Sequence, residues 1–274
     1  MSTETSVGEP TRSIFITGGA SGIGRAVAVF FAARGWFVGI ADVNEAGMAE
    51  TLSMITGGRA STHTLDVRFR DQWDKALADF AKAAGGRIDV VFNNAGIGDG
   101  GPLVDQDEDE LTRMLDINMK GVIFGAQASH RYLAETAPGS VLLNTASLAG
   151  IIGAPGLAAY CATKWGVRGL TESLDAEWAD DGIKVAALCP GFIDTPIIGK
   201  IQEDSNQTAK ETLIEAGVEV SSVDIVPGVV WQAVHGDDLH YTVGKMAKRM
   251  RRLKRWMPGL LRKEMRSQGV GVEL

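Results

Sequence analysis

Tyr160 and Lys164 stand four residues apart, a spacing that puts two side chains on one face of a helix. A free tyrosine has a pKa of about 10, too high for a good base near neutrality. An ammonium beside it stabilises the phenolate and lowers that pKa. A tyrosine tuned in this way takes the proton from an alcohol as the carbon is oxidised, or returns one to the alkoxide when a carbonyl is reduced. Ser147, thirteen residues before Tyr160, has a hydroxyl that can hydrogen-bond the same substrate oxygen and fix its position. Each residue also has a plainer reading. A Tyr–Lys pair at this spacing is usually a surface pair or a lysine lying along apolar surface. A serine after an apolar run often starts a turn or helix.

The elements that must position these residues alternate along the chain. Short apolar runs at 13–17, 36–41, 62–65, 88–92, 140–145 and 183–188 read as strands. Helical periodicity occupies 23–34, 45–55, 69–84, 107–135 and 158–180. Continuous apolar strands separated by helices predict a parallel sheet covered on both faces. The repeating unit predicts an α/β, doubly wound, Rossmann-like sheet. With no linker to split it, we read one domain over 13–244, a loose polar tail over 1–12 and a basic extension over 245–274. Tyr160 and Lys164 fall on the helix 158–180, and Ser147 follows the strand 140–145.

Directly after the first strand comes Thr17-Gly18-Gly19-Ala20-Ser21-Gly22-Ile23-Gly24, and then a helix. Glycines let backbone approach a pyrophosphate without Cβ clashes, and the helix that follows offers free N–H groups and the positive end of its dipole. At the first strand–helix junction such a turn is a dinucleotide signature; elsewhere it is only a tight turn. Asp42 ends the second strand, 18 residues after Gly24. A carboxylate there accepts from both ribose hydroxyls of NAD and repels a 2′-phosphate. Ala41, Val43 and Ser21 supply no cation for such a phosphate, so NAD is expected over NADP.

The glycine spacing is G-x-x-x-G-x-G. With Asp66 in Leu65-Asp66-Val67, Asn93-Asn94-Ala95-Gly96, Asn118, Ser147, Tyr160-x-x-x-Lys164 and Pro190-Gly191-x-x-x-Thr195, the chain resembles the short-chain dehydrogenase/reductase family over about 13–195. The resemblance implies hydride transfer between a nicotinamide cofactor and a CH–OH group. It implies that Gly18, Ser21, Gly22, Ile23, Gly24, Asp42 and Val43 bind the cofactor, that Asp66 and Val67 hold the adenine, and that Asn94, Ala95 and Gly96 line it. Pro190, Gly191, Ile193 and Thr195 would lie at the nicotinamide end. It also implies a backbone carbonyl at Asn118 holding a water that passes protons to Lys164. Pairing through the long helices, as homodimer or homotetramer, is part of the same expectation.

Other chemistries find little support. His63, His130, His235 and His240 show no metal-ligand spacing. Cys161 adjoins Tyr160 and so points elsewhere, as a core thiol. The acidic run 105–110 precedes a helix, where carboxylates stabilise the N-terminus. A net charge of −7 gives no case for nucleic acid. Two cysteines, no apolar run of membrane-spanning length and no signal-peptide pattern make the cytoplasm the expected location. A redox sensor that binds NAD without turnover is the rival reading, but such proteins typically lack the Tyr or the Lys. Epimerases and dehydratases of this fold usually extend the substrate region further.

The residues expected around the reacting carbon are apolar: Leu148, Ile151, Ala154, Pro155, Leu157, Phe192, Ile197 and Ile198. No arginine adjoins Ser147 or Tyr160 to clamp an anion, so a hydrophobic secondary alcohol or ketone is expected. The segment 195–222 breaks the strand–helix rhythm and reads equally as a lid or a surface insertion. A last strand fits 238–244. Residues 245–266 hold ten Lys or Arg against one Glu, a local charge of +9, so the rest of the chain carries −16. Met246, Met250, Leu253, Trp256 and Met257 lie at roughly helical spacing among those cations. Docking on the acidic body of this or a partner subunit, or covering the pocket, is favoured over an anionic membrane surface.

Overall fold

The computed structural model describes residues 11–199 and 208–267. Most of the tail 1–12, the stretch 200–207 and the end of the basic extension from 268 lie outside the described residues.

Seven strands, β1 (Ser13–Thr17), β2 (Phe37–Asp42), β3 (Arg59–Thr64), β4 (Val90–Asn93), β5 (Val141–Thr145), β6 (Lys184–Pro190) and β7 (His240–Val243), form one sheet. Their order is β3-β2-β1-β4-β5-β6-β7, and every pairing is parallel. The central strands are buried on both faces, which is why they read as unbroken apolar runs. The edge strand β3 is longer than expected, pairing from Phe37↔Arg59 to Asp42↔Thr64. Its RASTHT sequence is polar because only His63 is buried, so apolar patterning marks it weakly.

Helices cover both faces. One core packs Ile14, Ile16, Val38, Ile40 and Phe92 against α1 (Gly22–Ala32) and α8 (Val226–His235). The other packs Phe15, Val91, Leu142 and Val185 against α3 (Arg70–Ala83), α5 (Gly121–Thr136) and α6 (Ala158–Glu177). α2 (Glu45–Ser53) lies beside β2 and β3. The single helix expected over 107–135 is α4 (Glu108–Leu115) and α5 joined by one π turn, Asp116–Lys120. A π turn leaves the regular i→i−4 ladder, and this one carries Asn118.

Past β6 the chain forms α7 (Ala209–Glu215), α8 and β7, then the basic segment as α9 (Lys245–Trp256) and α10 (Pro258–Ser267). Ala247 and Met250 of α9 and Leu261 of α10 are buried with Leu148, Ile151, Ile152, Val167 and Cys189. The extension therefore belongs to the same body and attaches by an apolar stripe.

Candidate active site

In an open parallel sheet the crevice forms where neighbouring connections leave toward opposite faces. Here that point lies between β1 and β4. Asn94 Nδ2 donates to the Thr17 carbonyl at 2.9 Å, and Thr17 Oγ1 accepts from the N–H groups of Asn94 and Ala95, both at 3.0 Å. These bonds lock the two strand ends side by side.

A cavity of about 840 Å³ runs along this edge. Gly18, Ser21, Gly22, Ile23, Asp42, Val43, Asp66, Val67, Asn94, Ala95 and Gly96 line it, and so do Ser147, Tyr160, Lys164, Pro190, Gly191, Ile193 and Thr195. Gly18 and Gly22 have φ of 68° and 49°, conformations that require glycine. α1 opens with no side-chain cap and no acidic residue in its first turn, so its N-terminal N–H groups and dipole remain available to an anion. A dinucleotide pyrophosphate fits that cradle. Gly24 departs from the expectation. It does not line the cavity; a Cβ there would fall on the Gly18 carbonyl, so this glycine lets α1 pack against the turn.

Asp42 accepts from the N–H of Ala20 at 3.1 Å and of Asn44 at 3.0 Å, which fixes its carboxylate at the cavity edge. The nearby cation Arg25 is spent on Glu50, at 2.6 Å, and on the Ala20 carbonyl. Asp66 carries a guanidinium that sequence reading missed: Arg68 binds it at 2.6 Å, holds its carboxyl below the usual range and joins the cavity wall. A charged residue two positions after the aspartate was the only available signal.

At the other end, Lys164 is 4% exposed and donates to the Thr145 carbonyl at 3.0 Å. Its Nζ lies 5.6 Å from the Tyr160 ring centroid. Gly96 fits between the lysine and Asn118: a Cβ there would sit 3.5 Å from Lys164 Nζ and 3.2 Å from Asn118 Oδ1. The Asn118 amide bonds both main-chain groups of Ile97, at 2.9 and 2.8 Å. Its side chain thus clamps the loop after β4, and Asn118 does not itself line the cavity.

Ser147 starts a short helical turn, Leu148–Gly150, accepting from the Ala149 N–H at 3.1 Å, and lines the cavity together with Tyr160. Burial pushes Tyr160 up to about 12, with Ser147 pulling the other way. Burial also pulls Lys164 down to about 8. The tyrosine pKa expected to fall beside Lys164 therefore rises in the chain by itself. Desolvation is the largest cause and outweighs the pull of Ser147.

Of the expected substrate residues, Leu148, Ala154, Pro155, Leu157, Phe192, Ile197 and Ile198 line the cavity. Ile151 does not: the turn after Ser147 sends it into the core beside Val167, and Ile152 faces the cavity instead. The segment 195–222 contributes Thr212, Leu213, Ala216 and Val218, so its described part is cavity wall. Met246 and Met265 complete that wall from α9 and α10.

The profile of the short chain dehydrogenase family matches residues 12–206. The 3beta-hydroxysteroid dehydrogenase 2 of Eggerthella lenta is 36% identical over 206 residues, 74% of this chain and 79% of that one. The L-2,3-butanediol dehydrogenase of Corynebacterium glutamicum is 36% identical over 211 residues, 76% of this chain and 81% of that one. A short chain dehydrogenase/reductase from Burkholderia phymatum, solved in complex with NAD, superposes with a TM-score of 0.81 at 25% identity, covering 92% of this chain and 95% of that one. The chain belongs to the short-chain dehydrogenase family and is an oxidoreductase acting on CH–OH groups.

Proposed function

We propose that this enzyme interconverts an apolar secondary alcohol and its ketone with NAD(H) as hydride carrier. The observation that carries the reading is that Tyr160, Ser147 and buried Lys164 line the same cavity as the glycine turn. A bound nicotinamide supplies or accepts the hydride. Ser147 holds the substrate oxygen. Tyr160, protonated at neutral pH with its pKa near 12, is loaded to donate to a forming alkoxide. In the oxidation direction it must lose that proton. The Lys164 ammonium, whose pKa near 8 keeps it mostly charged at neutrality, favours the phenolate.

Gly18, Ser21, Gly22 and Ile23 would hold the pyrophosphate, Asp42 the adenosine ribose, Asp66 and Val67 the adenine, and Ile193 and Thr195 the carboxamide. The fixed Asp42 carboxylate, with Arg25 already paired, supports NAD over NADP. Leu148, Pro155, Phe192 and Ile197, joined by Ile152 and Leu213, favour an apolar substrate. Relatives named for a hydroxysteroid and for butanediol point to secondary alcohols of different size.

The test is a screen of secondary alcohols, from butanediols to hydroxysteroids, with NAD and NADP. It follows the reduced-nicotinamide absorbance for wild type and Tyr160→Phe. The reading expects NAD-dependent turnover of apolar alcohols and a loss of about a thousandfold or more in kcat for Tyr160→Phe, with NADH binding kept. Turnover confined to hydroxy acids or sugars sinks the substrate class, and an active Tyr160→Phe sinks the role of Tyr160.

A further inference from the structure

The helices α9 and α10 carry ten cations. Among the described residues, none of them lies within ion-pairing distance of a carboxylate. Arg251 donates to the His240 carbonyl at 3.2 Å, and Lys254 lies 5.4 Å from the Trp165 ring centroid. The helix pair is held down instead by Ala247, Met250 and Leu261. Apart from Arg251 and Lys254, which touch the body, the cations leave attachment to the apolar stripe.

The outer face has a second feature. Where α9 turns into α10, Trp256 is 73% exposed, Met257 51% and Leu260 48%. Lys254 and Arg255 precede this apolar elbow and Arg262 and Lys263 follow it. Large apolar side chains left in water amid clustered cations mark an interaction surface. A tryptophan with neighbouring leucine and methionine suits the boundary between headgroups and acyl chains. The surrounding lysines and arginines suit anionic headgroups. The body carries −16 against +9 here, so an anionic surface attracts this face and repels the rest, which orients the molecule. A nucleic acid would meet the same charges but would leave the apolar elbow unused.

We propose that the α9–α10 elbow is a docking surface for an anionic lipid bilayer. Trp256, Met257 and Leu260 enter the interface, and Lys248, Arg249, Arg252, Arg255, Arg262 and Lys263 contact the headgroups. The same helices carry Met246 and Met265 in the cavity wall, so docking brings that wall close to the membrane. The proposal stands whichever alcohol the enzyme uses.

The test is co-sedimentation of the full chain with phosphatidylcholine vesicles, with and without about 30% phosphatidylglycerol. Pelleting is expected only with the anionic vesicles and should vanish in roughly 0.5 M salt. The double substitution Trp256→Ser, Leu260→Ser should weaken binding about tenfold. Arg252→Gln should weaken it about fivefold, the effect of one cation at such a surface. Retained NADH binding shows that the variants are folded, and the wild-type vesicle comparison decides even where a variant fails. Equal pelleting with neutral vesicles, or none with anionic ones, overturns the proposal. So does charge-dependent binding that ignores the elbow substitutions, tighter binding of an RNA or DNA oligonucleotide at equal salt, or salt-sensitive self-association that those substitutions abolish.

Discussion

Along the β1–α1 side of the cavity the contacts are made by main chain; along the side built by α7, α9 and α10 they are made by side chains. Gly18 and Gly22 expose backbone, Asp42 is held by two backbone N–H groups, and Asn94 is stitched to Thr17. On the opposite wall Leu213, Val218, Met246 and Met265 come from segments far apart in sequence. A backbone surface has one shape and tolerates no added atom. A surface of apolar side chains can be recut by substitution while the helices beneath stay in place. The first suits a cofactor of constant shape and the second a variable substrate.

Gly24→Ala tests the backbone side most severely, because the added methyl falls on the Gly18 carbonyl. Overpacking of this kind should cost about 2–3 kcal/mol of stability, read by denaturant unfolding. It should also weaken NADH binding about a hundredfold in fluorescence titration. A variant that binds normally would mean that the turn is softer than it looks.

Lys164 stands where the two sides meet, and its burial gives a pH signature. Its folded pKa of about 8 lies below the ordinary 10.5. Between those values the unfolded chain binds more protons, so stability rises with pH, and below pH 8 the burial penalty is fully present. Lys164→Met removes the term. The stability difference between wild type and variant should therefore move by roughly 2–3 kcal/mol in favour of wild type from pH 8 to 10.5. A flat difference refutes a strained, buried ammonium. Burial pushes Tyr160 to about 12 and Cys189 to about 11, so both stay largely protonated in the folded chain over this range and most of their contribution is common to the two proteins.

Asp42→Ala should weaken NADH about tenfold, by loss of charge-assisted hydrogen bonds, and leave NADPH nearly unchanged. An unaltered ratio would remove Asp42 from cofactor choice. The smallest effect belongs to the side-chain wall. Met265→Ala should raise KM for an apolar alcohol about threefold to fivefold with NADH affinity intact. A change confined to NADH would reverse the division between the two sides.

The glycine-rich side of the cavity was legible in sequence because its determinants are local. A glycine that must adopt positive φ, or an aspartate at a strand end, is set by a few neighbouring residues, and Tyr160 and Lys164 share a face through helical spacing alone. Gly24 shows the limit: its place in the motif was readable, but its partner is a carbonyl across the turn. Ile151 and Ile152 show another, since a short helical turn decides which of two adjacent isoleucines meets the cavity. The polar edge strand β3 gave only a weak periodic signal.

By itself, the amino-acid order determined the parallel sheet, the glycine turn and the Tyr–Lys pair, because hydrophobic periodicity and glycine conformation act over a few residues. Tertiary structure alone decided that Arg68 binds Asp66, that burial lifts Tyr160 against the pull of Ser147, and that Met246 and Met265 reach the cavity. It also decided which face of the basic segment turns inward. Those outcomes depend on desolvation and on contacts between distant segments, and neither exists until the chain has folded.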